Sequence, residues 1–460
     1  MTTTPGEPTD SDFSVAIVIH VAFAGDDRTR SPEARLEEAI GLAAAINLNI
    51  AHSEIATLNE PKPSTLIGAG RVASIRKRLD EAAPRPGLVI VDAALSPVQH
   101  RNLEKAWNAK VLDRTALILE IFGERARTAE GRLQVDLAQL TYQKSRLVRS
   151  WTHLERQRGG RGFLGGPGER QIESDRRAIQ VKIDRLRARL EQVRRTRALQ
   201  REKRRKAPHP VVALVGYTNA GKSTLFNRLS KSDVVARDQL FATLDPTMRA
   251  VDLPSGQRII LSDTVGFISD LPTQLVAAFR ATLEEVNEAD LILHVRDASH
   301  ADSGAQREDV IDVLRQLGID ETDERPVIEV MNKIDLLSSE DRRGLIAACR
   351  PEGASAPMTI DEPARIGVSA ITGEGVDALC AMIDGVLTID RRAFSVTIDS
   401  SEGAPLAWLH ANGDVRSEIE DGGRVTLSVR LSDKASGQFR KLYPLTPLEA
   451  ERSDKRRLIA

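Results

Sequence analysis

Apolar runs of strand length alternate with amphipathic helical segments in the first part of this chain. Ser14–Phe23 and Gly87–Val91 are continuous apolar runs typical of buried strands. Ala34–Ile46 and Pro97–Trp107 have apolar residues at helical spacing. The alternation predicts an N-terminal α/β domain over residues 13–130.

The pattern changes between residues 131 and 206, where strand-like runs give way to long helical stretches. Leu133–Arg156 and Ile172–Arg205 both have helical periodicity, and a glycine-rich loop over 159–168 lies between them. Two helices joined by a compact loop form an αα-hairpin. We therefore predict a helical hairpin over this segment.

From residue 207 to 390 the alternation returns. It predicts a Ras-like, mainly parallel sheet with helices on both faces. The apolar runs are Val211–Val215, Arg258–Leu261, Leu291–Val295, Val327–Val330 and Arg365–Val368. Met248–Leu253 and Arg258–Leu261 flank a Pro-Ser-Gly turn, which predicts a hairpin and an antiparallel edge strand. Shorter elements over 394–447 predict a small α+β domain at the C-terminal end.

A phosphate-binding loop follows the apolar run Val211–Val215. The segment fits GxxxxGK[ST] and continues into a helix, so its backbone N–H groups and the helix N-terminus face the phosphates. Lys222 is expected to reach the β- and γ-phosphates, and the Ser223 hydroxyl to ligate Mg²⁺. The predicted nucleotide contacts here are Gly216, Tyr217, Thr218, Asn219, Ala220, Gly221, Lys222, Ser223 and Thr224.

Two further segments have the order expected of GTPase switches. Asp263, Thr264, Val265 and Gly266 follow the Arg258–Leu261 run, with Asp263 near the metal and Gly266 as the γ-phosphate sensor. Upstream, the nucleotide-contacting switch residues are Phe241, Ala242, Thr243, Leu244 and Asp245. We expect Thr243 to be the second Mg²⁺ ligand, with Thr247 as the alternative. The predicted metal set is Ser223, Thr243 and Asp263, and the catalytic set is Lys222, Thr243 and Gly266.

The base-recognition motif distinguishes guanine from adenine. The Val327–Val330 run is followed closely by Asn332, Lys333, Ile334 and Asp335. The Asp335 carboxylate can accept two hydrogen bonds from the N1–H and 2-amino groups of guanine, and adenine offers neither donor. Lys333 would lie along the base and Asn332 would brace the loop. Ser369, Ala370 and Ile371 match the last guanine loop, in which a backbone N–H meets the base oxygen.

Charge is distributed unevenly along the chain. The formal net charge is −1 and the sequence contains two cysteines, Cys349 and Cys380, which are too few for a disulfide framework. Lys144–Lys206 nevertheless contains 21 Lys and Arg against 7 Asp and Glu. Such an excess suits the phosphates of folded RNA, although a solvated charged arm is the alternative. The polar N-terminus and the short apolar run Val15–Gly25 predict a cytoplasmic protein without a membrane span.

These motifs together resemble the HflX family of ribosome-associated GTPases. The resemblance lies in Leu214–Asn227, in the switch residues Phe241–Thr247 and 263–267, and upstream in Val111–Thr115, Phe122–Thr128 and Gly131–Val135, over roughly residues 60–390. Gly166–Glu169 resembles the family's glycine loop, with Arg170 as a departure. The family likeness implies a GTP hydrolase that binds the large ribosomal subunit, and we expect it to use Mg²⁺ and to be a monomer. It implies the splitting or rescue of stalled ribosomes, with a role in large-subunit assembly also open.

Three features leave alternatives open. Asn219 resembles the asparagine of potassium-dependent GTPases, so K⁺ is a candidate cofactor, and bracing of the first switch is the other interpretation. Gly68-Ala69-Gly70 followed by Asp92 mimics a dinucleotide fingerprint, although a structural turn is the favoured interpretation. Some HflX relatives have a second nucleotide site in this domain. The rival function is therefore a nucleotide-gated RNA-binding or remodelling module with an N-terminal ATP site.

Overall fold

The computed structural model describes most of the chain. The described residues are 14–24, 30–149, 167–205, 209–231, 240–241, 243, 247–269, 285–320, 322–323, 325–349, 359–388 and 391–450. Within them the strands form three separate sheets. The fold is that of a P-loop GTPase with additional N-terminal and C-terminal parts, as the sequence predicts.

The first sheet is parallel and four-stranded, in the order β2-β1-β3-β4. Its strands are β1 (Val15–Phe23), β2 (Asn49–Leu58), β3 (Leu88–Asp92) and β4 (Lys110–Asp113). The connecting and following helices are α1 (Pro32–Ala44), α2 (Ala69–Glu81), α3 (Pro97–Trp107) and α4 (Arg114–Arg125). Local sequence explains where α1 begins, because Ser31 accepts a hydrogen bond from the Ala34 N–H and Pro32 occupies the first turn.

Two long helices follow, α5 (Ala129–Arg149) and α6 (Pro167–Arg205). Helix α6 begins at Pro167 rather than at Ile172, the predicted start, and proline is well suited to the first helical turn. Gly168, predicted to lie in the loop, is therefore helical. Residues 159–166 of the predicted loop lie outside the described residues.

The apolar stripe of α6 explains why this strongly charged helix is packed along α5. Ile183 and Leu190 are buried and Ile179, Leu186 and Val193 are half-buried, at spacings of three and four residues. The remaining faces are exposed and rich in arginine. The pair is therefore held by a narrow apolar seam, with the cations directed toward solvent.

The second sheet has six strands in the order β10-β9-β8-β5-β7-β6. It consists of β5 (Val211–Gly216), β6 (Thr247–Asp252), β7 (Arg258–Asp263), β8 (Leu291–Asp297), β9 (Val327–Asn332) and β10 (Ala364–Gly367). Strand β6 pairs antiparallel with β7 at the edge, as predicted from the Pro-Ser-Gly turn, and the other pairings are parallel. The associated helices are α7 (Lys222–Ser230), α8 (Ser303–Gln316), α9 (Ser339–Ala348) and α10 (Val376–Thr388).

The third sheet is antiparallel, in the order β12-β13-β11-β14. Its elements are β11 (Arg391–Asp399), α11 (Gly403–Asn412), β12 (Asp414–Asp421), β13 (Arg424–Ser432), α12 (Asp433–Leu442) and β14 (Glu449–Ala450). A separate core that contains Phe394, Leu427 and Phe439 fills this unit.

The first two sheets share one hydrophobic core. Ala16 and Val18 of β1 lie in the same apolar cluster as Ala213 and Val215 of β5. The alternate residues of β5, Val212 and Leu214, face a second cluster on the opposite side of the sheet. The second sheet is therefore covered on both faces, and one of its covers is the N-terminal α/β region. Among the described residues we find no helix with the length and apolar composition needed to cross a membrane.

Candidate functional site

The phosphate loop connects β5 to α7 at the carboxyl edge of the second sheet. Gly221, just before α7, has φ +91°, and a Cβ there would lie 2.2 Å from Nδ2 of Asn332. Both the backbone conformation and the close neighbour therefore require glycine. This geometry opens the helix N-terminus toward the space where the sequence places the phosphates.

Lys222 lies inside the loop with its ammonium group at the loop centre. Its Nζ donates to the carbonyl oxygens of Gly216 at 3.0 Å and of Tyr217 at 2.8 Å. Burial lowers the pKa of Lys222 to about 8, although the Asp263 carboxylate acts in the opposite direction. An anionic ligand beside Nζ would favour the charged form, so phosphate binding and protonation of Lys222 should reinforce each other.

The predicted metal ligands converge on one point. Ser223 Oγ donates to Asp263 Oδ2 at 2.8 Å, and Thr243 Oγ1 donates to the same oxygen at 2.9 Å. The two hydroxyl oxygens are 2.9 Å apart. Thr247, the alternative ligand, begins β6 and pairs with Asp263 across the strands. The arrangement favours Thr243.

This set of oxygens suits a small divalent cation. Two hydroxyls and a carboxylate are hard oxygen donors, which is the chemistry that Mg²⁺ prefers. Asp263 Oδ1 is buried and has no hydrogen-bond partner among the described residues. Burial raises the pKa of Asp263, while Lys222, Ser223 and Thr243 act to lower it. A cation bound beside this carboxylate would stabilise its ionised form, and Oδ1 has no competing partner among the described residues.

The predicted first switch packs against the N-terminal region through a hydrophobic contact. Phe241 is buried, with its ring centroid 4.7 Å from that of Phe122 in α4, in an edge-to-face arrangement. Ala242, Leu244 and Asp245, also predicted to contact the nucleotide, lie outside the described residues. The N-terminal region thus contacts the switch two residues before Thr243.

The predicted base-binding motif lies directly after β9. Asn332 Nδ2 donates to the Ala220 carbonyl at 2.8 Å, which ties this motif to the phosphate loop. Lys333 Nζ lies 2.7 Å from Asp297 Oδ2, and the short 3₁₀ turn Ile334–Leu336 follows. The Asp335 side chain is half-buried in this turn.

The last predicted loop is joined to the base motif by a hydrogen bond from its backbone. The Ala370 N–H donates to Asn332 Oδ1 at 3.0 Å. Ser369 is buried, and Ile371 is 70% exposed at the rim. Asn332 therefore connects the phosphate loop with this loop as well as with its own motif. Thr264 and Val265 are buried beneath the site, where Thr264 Oγ1 donates to the Leu214 carbonyl at 2.6 Å.

The glycines of the apparent dinucleotide fingerprint begin α2, where Gly68 is the N-cap residue. Asp92, the candidate ribose ligand, instead accepts from Arg114 Nη1 at 2.6 Å, and its other oxygen lies 2.7 Å from His20 Nδ1. A carboxylate with both oxygens occupied is poorly placed to bind a ribose. The geometry supports the structural interpretation of this motif.

Sequence reasoning missed a buried polar cluster that joins the N-terminal region to the phosphate loop. Glu38, Arg30 and Arg114 meet Tyr217 and Ser269 there. Glu38 and Tyr217 are 179 positions apart, and neither residue stands in a motif that indicates the contact. They lie together in the fold because the N-terminal region and the second sheet share a hydrophobic core.

Four family models match the chain in succession. They are described as GTP-binding GTPase N-terminal over 33–123, GTP-binding GTPase Middle Region over 125–204, 50S ribosome-binding GTPase over 211–333, and HflX C-terminal domain over 358–451.

Curated relatives match over most of their length. The GTPase HflX of Magnetococcus marinus is 50% identical over 404 residues, which is 88% of this chain and 89% of that protein. The GTPase HflX of Escherichia coli is 41% identical over 417 residues, covering 90% and 93% of the two chains. A GTP-binding protein from Sulfolobus solfataricus, solved with GDP, is 22% identical with a TM-score of 0.44, covering 81% of this chain and 98% of that one.

Proposed function

The chain belongs to the HflX family of GTPases and hydrolyses GTP, and from that premise we propose that it acts on the large ribosomal subunit. The match to the model described as 50S ribosome-binding GTPase supports this partner. In this proposal the enzyme binds the subunit in its GTP form, splits or rescues stalled ribosomes, and leaves after hydrolysis.

The exposed cationic face of α6 is the observation that most strongly supports binding to ribosomal RNA. Lys182, Arg185 and Arg189 are exposed at spacings of three and four residues, while Ile183 and Leu190 face α5. Cations on one rigid face can neutralise several phosphates at once, which gives affinity without sequence specificity. A helical pair held by an apolar seam presents those cations at fixed spacing.

The nucleotide chemistry is assigned to residues at the carboxyl edge of the second sheet. The phosphate-loop N–H groups and Lys222 hold the phosphates, Gly266 contacts the γ-phosphate, and Asp335 selects guanine. Ser223, Thr243 and Asp263 would hold Mg²⁺, which when bound neutralises charge on the phosphate oxygens. The protein's own contribution is to orient the triphosphate and to hold the switch residues around it.

Binding to separated ribosomal subunits tests the partner. The full-length protein is incubated with purified large or small subunits and GDP or a non-hydrolysable GTP analogue, and then pelleted through sucrose. We expect co-sedimentation with large subunits that is strongest with the analogue. Equal binding to both subunits, or none to large subunits, would contradict the proposal.

The ribosomal reaction is tested with intact ribosomes. Light scattering of 70S particles should fall when the enzyme and GTP are added, because splitting reduces particle mass. Unchanged scattering despite tight large-subunit binding would exclude splitting and favour the assembly role. Extra thermal protection of GDP-saturated protein by ATP would favour the rival function, with an ATP site in the N-terminal region.

A further inference from the structure

The hydroxyl of Tyr217 lies at the centre of a buried polar cluster between the N-terminal region and the phosphate loop. It accepts hydrogen bonds from Arg30 Nη1 at 2.7 Å and from the Ser269 N–H at 2.8 Å, and it donates to Glu38. One donor and two acceptors use the full capacity of a phenol. Phosphate binding needs only the backbone of residue 217, so it does not explain this side chain.

The N-terminal region also binds the carbonyl and the hydroxyl of Ser269. Arg114 Nη2 donates to the Ser269 carbonyl at 2.9 Å and to its Oγ at 3.0 Å. The Ser269 hydroxyl in turn donates to Glu38 at 3.0 Å. Arg114 is itself fixed by Asp92 at 2.6 Å. The backbone N–H and carbonyl of Ser269 are therefore both bound within this cluster.

The residues just before Ser269 are those expected to detect the γ-phosphate. The Phe267 N–H donates to the Gly216 carbonyl at 3.1 Å, and the Thr218 N–H donates to the Phe267 carbonyl at 2.8 Å. A Cβ on Gly266 would lie 2.9 Å from Thr218 Cα and 3.0 Å from Lys222 Nζ. The segment 266–269 is thus clamped between the phosphate loop and the polar cluster, with Gly266 beside the lysine.

The cluster is buried and charged. Burial would raise the pKa of Glu38, but Arg114 and Arg30 lower it below its usual value, so Glu38 remains an acceptor. The Arg30 guanidinium also lies 4.7 Å from the centre of the Tyr217 ring. In a buried network of this kind, loss of one member leaves the groups that bonded to it without partners.

We propose that Tyr217 is a positioning residue through which the N-terminal region holds the 266–269 segment ready for the γ-phosphate. Glu38 and Arg30 fix the Tyr217 hydroxyl, and that hydroxyl fixes the Ser269 backbone. The N-terminal region thereby raises affinity for GTP relative to GDP. By linkage, GTP must stabilise the docked position of that region to the same degree. The inference rests on the proposed assignment of Gly266 to the γ-phosphate.

The test compares triphosphate and diphosphate binding in full-length Tyr217→Phe protein. We expect affinity for a non-hydrolysable GTP analogue to fall roughly 5- to 10-fold, within the usual range of coupling between sites. GDP affinity should stay unchanged, and single-turnover hydrolysis should fall in parallel with analogue binding. Unchanged GDP affinity also reports that the nucleotide site is folded. Glu38→Gln, which alters the same cluster from the other region, should shift the analogue-to-GDP ratio in the same direction.

A matched control is Tyr443→Phe in the C-terminal unit, where the hydroxyl lies 3.4 Å from the Ala404 carbonyl. It removes the same atom and should change neither affinity. Equal losses of GTP-analogue and GDP binding in Tyr217→Phe, or no loss of either, would overturn the inference.

Gly266→Ala separates this inference from the site assignment on which it rests. Selective loss of analogue binding in Gly266→Ala, with no effect in Tyr217→Phe, would overturn the positioning role while supporting the γ-phosphate assignment. If Gly266→Ala lowered neither analogue binding nor hydrolysis, the assignment itself would fail, and the inference with it.

Discussion

Asn332 joins separate parts of the candidate nucleotide site through a single side chain. Its amide nitrogen donates to the Ala220 carbonyl in the phosphate loop, and its amide oxygen accepts from the Ala370 N–H in the last loop. A side-chain amide offers a donor and an acceptor on the same carbon, so Asn332 can bond to both loops at once. A change in the base pocket is therefore expected to reach the phosphate end through Asn332.

Asp335→Asn is predicted to change the preferred base from guanine to xanthine. The amide would present one donor and one acceptor, which matches the 2-oxo group and N1–H of xanthine. GTP affinity should fall about 100-fold, since two charge-assisted hydrogen bonds of roughly 1.5 kcal/mol each are altered. Titration with fluorescent guanine and xanthine nucleotides measures both affinities.

Asp312→Asn serves as the control for that change. Asp312 is an exposed carboxylate on α8, 3.7 Å from Arg315, and surface pairs of this kind contribute little. It should leave both affinities unaltered. Undiminished guanine preference in Asp335→Asn would remove Asp335 from the base site.

Asn219 leads to a prediction about monovalent cations. It has φ 60° and an exposed side chain at the opening of the phosphate loop. We expect GTP turnover to be faster in potassium than in sodium buffer of equal ionic strength, because a bound K⁺ would stabilise charge on the transferring phosphoryl group. Asn219→Ala should abolish the difference. Equal rates of the unaltered enzyme in the two buffers would favour the bracing role.

At the scale of elements, the strands and helices that carry strong periodicity could be predicted from the sequence. Strand β5, the phosphate loop and α7 follow one another as expected, and β6 is the antiparallel edge strand. The sequence did not predict edge strand β2, because its residues are mixed in polarity. Along this strand Ala56 is buried and the other residues are half-buried or exposed. A half-exposed parallel strand has neither a continuous apolar run nor a regular alternation.

The candidate site was predictable to the extent that it consists of motifs in a fixed order. Ser223, Thr243 and Asp263 were assigned from motifs, and their oxygens lie within hydrogen-bonding distance of one another. The contacts of Tyr217 with Glu38 and Ser269 could not be foreseen, because they depend on how α1 docks against the second sheet. Polar contacts between distant segments have no local periodicity.

The αα-hairpin leads to a prediction about electrostatic binding. Reversing Lys182, Arg185 and Arg189 of α6 to glutamate should weaken binding to large subunits and reduce the slope of log K against log salt by up to about 3. Intrinsic GTP hydrolysis should stay similar, since none of these side chains belongs to a nucleotide-binding motif. Pelleting with large subunits at several salt concentrations measures both effects.

The matched control reverses three exposed cations of the N-terminal region, Lys77, Arg101 and Lys105, on α2 and α3. It changes net charge by the same amount at another surface. If both triple variants weaken binding equally, attraction is general rather than specific to α6. If neither does, α6 is a solvated arm.

At the scale of the whole molecule, the shared hydrophobic core makes the N-terminal region part of the GTPase unit. Phe122 of α4 contacts Phe241 of the first switch, and the Tyr217 cluster holds Ser269 after the second. Movement of the N-terminal region, for instance on RNA, is therefore expected to disturb both predicted switches. The same core is the reason that binding experiments should use the full chain.

Phe267 is the residue from which we predict the intrinsic rate of GTP hydrolysis. In Ras-like enzymes a glutamine after Asp-x-x-Gly orients the attacking water, and here phenylalanine occupies that position. Phe267 is 1% exposed and belongs to the shared core, so it has no polar group to offer and no freedom to turn outward. Arg249 in the edge strand β6 is exposed, and Arg237 lies outside the described residues. The free enzyme is therefore expected to lack an oriented water.

We accordingly predict slow hydrolysis by the free enzyme and marked stimulation by large subunits. A catalytic group supplied in trans gives roughly 10³ to 10⁵ in rate in the Ras case. Phe267→Gln should not restore fast intrinsic hydrolysis, because an amide in this apolar core costs about 1–3 kcal/mol and displaces the switch. Phe267→Leu, the apolar control, should keep the low basal rate. Single-turnover hydrolysis with and without large subunits measures all three proteins, and fast subunit-independent hydrolysis by the unaltered enzyme would reveal an internal catalytic group instead.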